Sequence, residues 1–298
     1  MSRRGWVLFL AMSVIWGVPY LLIKVAVEDL SPVVVVFARC AIGAALLVPW
    51  TIARGHLRPA LRQWRWLLAF TLLEMTGPWL LLSYAETSLS SSLTGLLVAA
   101  VPFVAAIAGR VLGEERLTPV RLAGMGLGVV GIAVLLGLDV GGAQLLPLLA
   151  VALTVIGYGT APLIVTRKLA DVPGVAASSI ALVVTAVVYA PFALTRLDEV
   201  GRADGAALLS VAVLGVVCTA LALSLFFALI REVGPQRALV ITFLNPAVAV
   251  LLGVLVLDEP FTLGLALGLP LVVAGCVLAT RRNEPRAADE PAVETPVP

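Results

Sequence analysis

Charge is what this chain has least of. Asp, Glu, Lys and Arg make up 13% of its 298 residues, where a soluble globular domain carries about 25%. Apolar residues make up 61%, and the mean hydropathy is +1.08. An ordinary soluble fold is excluded. There is one histidine, His56, in a basic loop where it reads as a surface residue, and the acids are not clustered. Neither a nucleophile–base pair nor a metal set can be assembled from that inventory, which argues against an intramembrane enzyme. The three cysteines, Cys40, Cys218 and Cys276, all fall inside apolar runs without ligand spacing. They read as small core residues, so neither a disulfide framework nor a metal cluster is implied, and no cofactor is expected. Long polar segments are missing too, which argues against a receptor with its own sensing or signalling domain.

What the chain does have is uncharged apolar runs long enough to span a hydrocarbon core, which takes roughly 20 helical residues. Val140–Thr166, Val172–Thr195, Gly205–Ile230, Ala238–Leu257 and Pro260–Thr280 contain no charge at all. With the runs near Gly5–Val27, Leu30–Ala53, Trp64–Ala85, Thr87–Gly109 and Leu122–Leu138 they make ten expected spans. The first reads as a helix and not as a cleaved signal, because removing it would delete the partner of a helix in the second half.

The runs repeat. Shifted by 144 residues, Ala85–Leu135 lies on Leu229–Ala279 without a gap, matching Pro102 to Pro246, Gly109 to Gly253, Glu115 to Glu259 and Gly131 to Gly275. Five spans per copy is an odd number, so the second copy must cross the membrane inverted. The expected fold is therefore all-α: ten transmembrane helices as two inverted five-helix repeats, residues 1–139 and 140–282, around a central cavity. Such repeats are a construction of transporters, with the site where the halves meet.

If the N-terminus is cytoplasmic, sixteen Arg and Lys residues fall on the cytoplasmic side and three, Lys24, Arg196 and Arg202, on the outer side. That bias predicts cytoplasmic termini in an inner, multi-pass membrane protein. The tail, 283–298, rich in Pro, Ala and acid, is expected to be disordered. Trp64 and Trp66 read as interfacial anchors. Gly124, Gly128, Gly264 and Gly268 offer small faces for close packing of the fifth and tenth spans.

Arg39 and Glu74 are the ionisable residues deepest in the spans, about 13 and about 15 Å from the nearer end at 1.5 Å per residue. Unpaired, each would cost roughly 2.5–3.5 kcal/mol on insertion scales. Two readings stand side by side. Arg39 attracts a substrate carboxylate while Glu74 binds an amine or a proton, or the two neutralise each other as a structural pair. Ala181 and Cys218 take the corresponding places in the second half, so a site here is asymmetric. Pro102 and Pro246 break the fourth and ninth spans, freeing the carbonyls of Val98 and Thr242. These breaks either flank a substrate path, with Asn245 adding a polar side chain, or only shape packing. Trp16 and Tyr20, one helical turn apart, are expected to share a cavity wall. Trp79 and Tyr158 are further candidates for substrate contact.

Several of these residues carry a resemblance. Trp16-Gly17 followed by Lys24, an Arg in the second span, and Tyr84-Ala85 through Ala99, Pro102 and Gly113-Glu114-Glu115 form one pattern. Val233-Gly234-Pro235, Asn245-Pro246 and Leu257-Asp258-Glu259-Pro260 form its second copy. Over about residues 5–282 the chain resembles the drug/metabolite transporter superfamily, specifically its ten-helix EamA-type members. The resemblance implies a basket in which the first four helices of each half line a cavity and the fifth and tenth pack outside. It also implies export of amino acids, other small metabolites or toxic compounds. Glu115 and Glu259 match the family's recurring acid, structural by position, whereas Glu74 lies outside the pattern. The expected function is a secondary transporter of a small, amino acid-like or amphipathic metabolite, working by alternating access, with a multidrug or cation exporter as the alternative. Its partners would be the solute, membrane lipid and, for coupling, protons; nucleic acid is not among them, and the oligomeric state is open.

Overall fold

In a computed structural model the chain is described over residues 2–113, 118–139, 145–234 and 238–280. The expectations for Glu115, the linker between the halves and the tail 283–298 lie outside the described residues. Among those described, regular structure is helical throughout. Eight helices are long and apolar enough to cross a membrane: α1 (Arg3–Asp29), α2 (Pro32–Ala53), α3 (Trp64–Glu86), α4 (Ser91–Val111), α5 (Pro119–Gly137), α6 (Leu145–Lys168), α7 (Gly174–Leu194) and α8 (Gly205–Val233). Two shorter apolar helices, α9 (Val240–Val256) and α10 (Leu263–Ala279), bring the number to ten. Lipid offers no hydrogen bonds, so each span must satisfy its backbone internally, and helices do so. Their exposed first turns are capped from the sequence: Ser2 accepts from Gly5 N, Ser90 from Leu93 N and Thr262 from Leu265 N.

Helix contacts close a ring in the order α1, α8, α2, α7, α3, α6, α4, α9 and back to α1. Helices of the two copies alternate around it, and replacing each by its equivalent five places on reproduces the same ring. The pair α5 and α10 stands outside this ring. Glycines bring the two backbones together: a Cβ on Gly275 would meet Gly128 N at 2.6 Å and Gly124 O at 2.7 Å. Close packing of these two spans was the expectation from their small-residue faces, and Gly268 adds to it, since a Cβ there would lie 3.1 Å from Gly131 O.

Five helices deviate from regularity inside the ring. α1 breaks into Arg3–Ile15 and Pro19–Asp29, and α4 into Ser91–Val98 and Val101–Val111 with Pro102 in the first turn of its second piece. α3 and α8 carry one π turn each, Leu72–Thr76 and Val216–Leu221, which begin 144 residues apart. In α3 the cause is visible, because Pro78 cannot donate to the carbonyl of Glu74. α9 opens with a 3₁₀ turn, Leu239–Phe243, before Pro246 starts its regular part, Asn245–Val256.

The ring has two ends. The near end carries the start of α1 and the basic loops, with exposed Trp50, Trp64 and Trp66 lying under Arg54, Arg65 and Lys168. His56 is half-buried there against the edge of Trp50 (6.3 Å), so it is not the free surface residue expected. The far end is joined across the repeats by acids that receive helix amides. Ser31 N donates to Glu199 (2.7 Å), Asp204 N to Asp29 (2.8 Å), and Ser91 N and Ser92 N to Glu259 (2.7 and 3.0 Å).

Candidate functional site

Arg39 points from α2 into the interior and is 8% exposed. Its Nε donates to Thr219 Oγ1 in the π turn of α8 at 2.9 Å, and its guanidinium carbon lies 3.7 Å from the centre of the Trp79 ring on α3. Thr219 itself donates to Leu214 O, five residues back, which the π turn leaves within reach (2.8 Å). Gly43 of α2 makes the approach possible, since a Cβ there would lie 2.8 Å from the Thr219 methyl. Tyr158 from α6 and Tyr20 from α1 stand within electrostatic range of the same guanidinium. Side chains from four other helices thus lie around one cation, and its two Nη groups make no hydrogen bond to a described residue.

Glu74 sits in the π turn of α3, half-buried beside Tyr158. The reading of Arg39 and Glu74 as a structural pair is corrected here: no ion pair joins them. Thr219 and Trp79 occupy one edge and one face of the guanidinium, and the Glu74 carboxylate has no hydrogen bond to a described residue. The turn that carries it is held from α7, where Tyr189 OH donates to Thr76 O at 2.6 Å and Thr185 meets the Thr76 hydroxyl at 2.8 Å. From the other side Gly157 of α6 lets Leu73 O come so close that a Cβ would meet it at 2.4 Å.

Trp16 and Asn245 form a separate group. Trp16 packs on Phe226 of α8 with ring centroids 4.6 Å apart. The break in α1 falls between Trp16 and Tyr20, so they do not share one helical face, and Tyr20 instead covers Gly95 of α4. With its amide nitrogen turned inward, Asn245 donates to Ser13 O (3.1 Å) and to Ile241 O (2.9 Å), tying α9 to the broken α1. Pro246 is buried and Pro102 partly so, and the carbonyl of Ala99 at the α4 break accepts from Cys276 Sγ at 3.0 Å. A groove of about 380 Å³ lies toward the near end between α2, α7 and α8, lined by Leu47, Trp50, Val175, Phe227 and Arg231 among others.

Two residues important to this geometry carried no flag in the sequence reading. Thr219 is next to Cys218, the counterpart of Glu74, and a hydroxyl at that place was the available signal. Glu86 ends α3 and is 0% exposed.

Two stretches of the chain, 3–137 and 145–281, match the model of the EamA-like transporter family. The chain belongs to that family. It is 26% identical over 277 residues to the uncharacterized inner membrane transporter YedA of Escherichia coli strain K12, covering 91% of this chain and 88% of that protein. An uncharacterized transporter of Archaeoglobus fulgidus is 22% identical over 286 residues, covering 94% and 100%. The uncharacterized transporter YoaV of Bacillus subtilis is 22% identical over 277 residues, covering 91% and 94%. A crystal structure superposes with a TM-score of 0.65 at 21% identity, covering 94% of this chain and 98% of that one. That likeness concerns the fold. EamA family membership makes the ten helices a membrane transporter, and it leaves the solute to be argued from the residues.

Proposed function

We propose that this transporter moves a small carboxylate-bearing, amino acid-like or amphipathic metabolite out of the cell by alternating access. The reading rests on one observation: a buried Arg39 with its Nε and one face occupied and its Nη pair without a hydrogen-bond partner among the described residues. A guanidinium presents parallel N–H donors that match a carboxylate, and the match is strongest out of water. Trp79, Tyr158 and Tyr20 would contact the remainder of the solute. The near end is taken as cytoplasmic, supported by the excess of Arg and Lys there, and the membrane as the inner one, in keeping with the printed name of the Escherichia coli relative. The breaks at Pro102 and Pro246, repeated in both copies, are suited to let helices bend as the halves rock.

The test is thermal-shift screening of detergent-purified protein against amino acids, nucleosides and cationic drugs. Saturation at about 100 times Kd stabilises the native state by about 2.7 kcal/mol. Carboxylate-bearing solutes should raise the apparent Tm of the wild type, and Arg39→Ala should abolish that rise. The unpaired Glu74 favours a second reading, a cation or multidrug exporter. Stabilisation by cationic compounds alone, lost in Glu74→Gln and kept in Arg39→Ala, would establish that reading in place of the first.

A further inference from the structure

The far end of α3 holds the most completely buried acid described in the chain. Glu86 is 0% exposed, and neither carboxylate oxygen has a hydrogen-bond partner. Ser91 and Thr94, one turn apart on α4 and equally buried, have unpartnered hydroxyl oxygens as well. The Lys24 ammonium makes no hydrogen bond to the carboxylate. Lys24 Nζ, from α1, donates instead to the backbone carbonyls of Glu86 (2.8 Å) and Leu89 (3.0 Å).

Those two bonds pin the turn between α3 and α4 from one side. Glu259 pins it from the other, accepting from Ser91 N, Ser92 N and Ser92 Oγ. Asp258, in the left-handed region at φ 53°, turns the chain so that Glu259 points there, and Gly253 leaves it room, since a Cβ would meet Glu259 Oε2 at 2.3 Å. The turn between α3 and α4 is thus held by one clamp from each repeat.

We propose that Glu86 is a proton-binding site that controls the Lys24 clamp. With a proton on Glu86 the carboxyl is neutral, and Lys24 holds the turn's carbonyls. When the proton leaves for water at the far end, the ionised carboxylate is the better acceptor. Lys24 then moves onto it and releases the turn. An unpaired buried carboxylate is far costlier than a neutral acid, and an ammonium prefers an ionised acceptor to two neutral carbonyls. The groups facing Glu86 agree with a switch: Lys24 and Tyr20 from α1, Arg39 from α2, Glu259 from the α9–α10 turn, and the Ser91 and Thr94 hydroxyls from α4. As a coupling site this rests on the transport reading; as a pH-dependent clamp it does not.

Hydrogen exchange of the intact protein in detergent, followed for peptides covering residues 87–92, tests it with the proton as the only ligand. Corrected for intrinsic exchange, uptake in the wild type should rise about fivefold between about pH 5 and about pH 9. Glu86→Gln should hold the low value at both pH values, and Lys24→Gln the high value at both. A flat wild-type response, or a rise that persists in Glu86→Gln, overturns the proposal. Should Glu86→Gln fail to fold, the wild type supplies the measurement. An infrared band of a protonated carboxyl must then disappear over the pH interval in which uptake rises, and absence of such a band overturns the proposal equally. The readout uses no transported solute, so its failure leaves the Arg39 screen standing, and a failed screen leaves the clamp standing.

Discussion

The π turns of α3 and α8 are the same backbone device used twice. They start 144 residues apart, each widens a helix in the inner ring, and each is approached closely by a neighbour through a glycine. Their chemistry differs. The turn in α8 carries Cys218 and Thr219 and supplies an acceptor to Arg39; the turn in α3 carries Glu74, whose carboxylate has no hydrogen bond to a described residue. Duplication has kept the scaffold symmetric while the side chains took different tasks. π turns are commonly found at functional sites because they free backbone groups and re-aim side chains.

Breaking the scaffold should have the largest effect. Gly157→Val places a branched side chain against Leu73 O and should lower stability by about 3 kcal/mol, seen as a lower apparent Tm in detergent. A smaller loss is expected from Thr219→Val, which leaves the Arg39 Nε unsatisfied in a buried place. About 2 kcal/mol should be lost, most of it recovered in Thr219→Ser, and a Tm equal to wild type would detach Thr219 from Arg39. Glu74→Gln replaces a carboxyl that has no hydrogen-bond partner among the described residues, so the apparent Tm should change by less than about 0.5 kcal/mol equivalent. A large loss there would mean that the two turns are alike in being structural.

Much of the fold was legible because its signals are compositional. Charge-free runs marked the spans, and the 144-residue shift marked the repeat and its inversion. Arg39, Trp79, Tyr158 and Tyr20 each stood out in the sequence as a deep cation or a span aromatic, and the fold brings the three rings to the neighbourhood of the guanidinium. The π turn in α8 was not legible, because neither proline nor glycine replaces the Pro78 that accounts for its twin. The break in α1 had a signal, Pro19, which separates Trp16 from Tyr20. Glu86 was passed over for a different reason: burial at a span end depends on how the next turn folds back, and here that is decided by Lys24 and Glu259, 62 residues before it and 173 after.

The alternation of the two copies around the ring has a consequence for how the protein is made. As the ribosome delivers α1 to α5, every wall position between them is still waiting for a helix that has not been synthesised. Arg39 has Trp79 to lie against but no Thr219 until α8 arrives. The first five helices alone therefore leave open seams between ring neighbours, and only helices of the second copy can fill them.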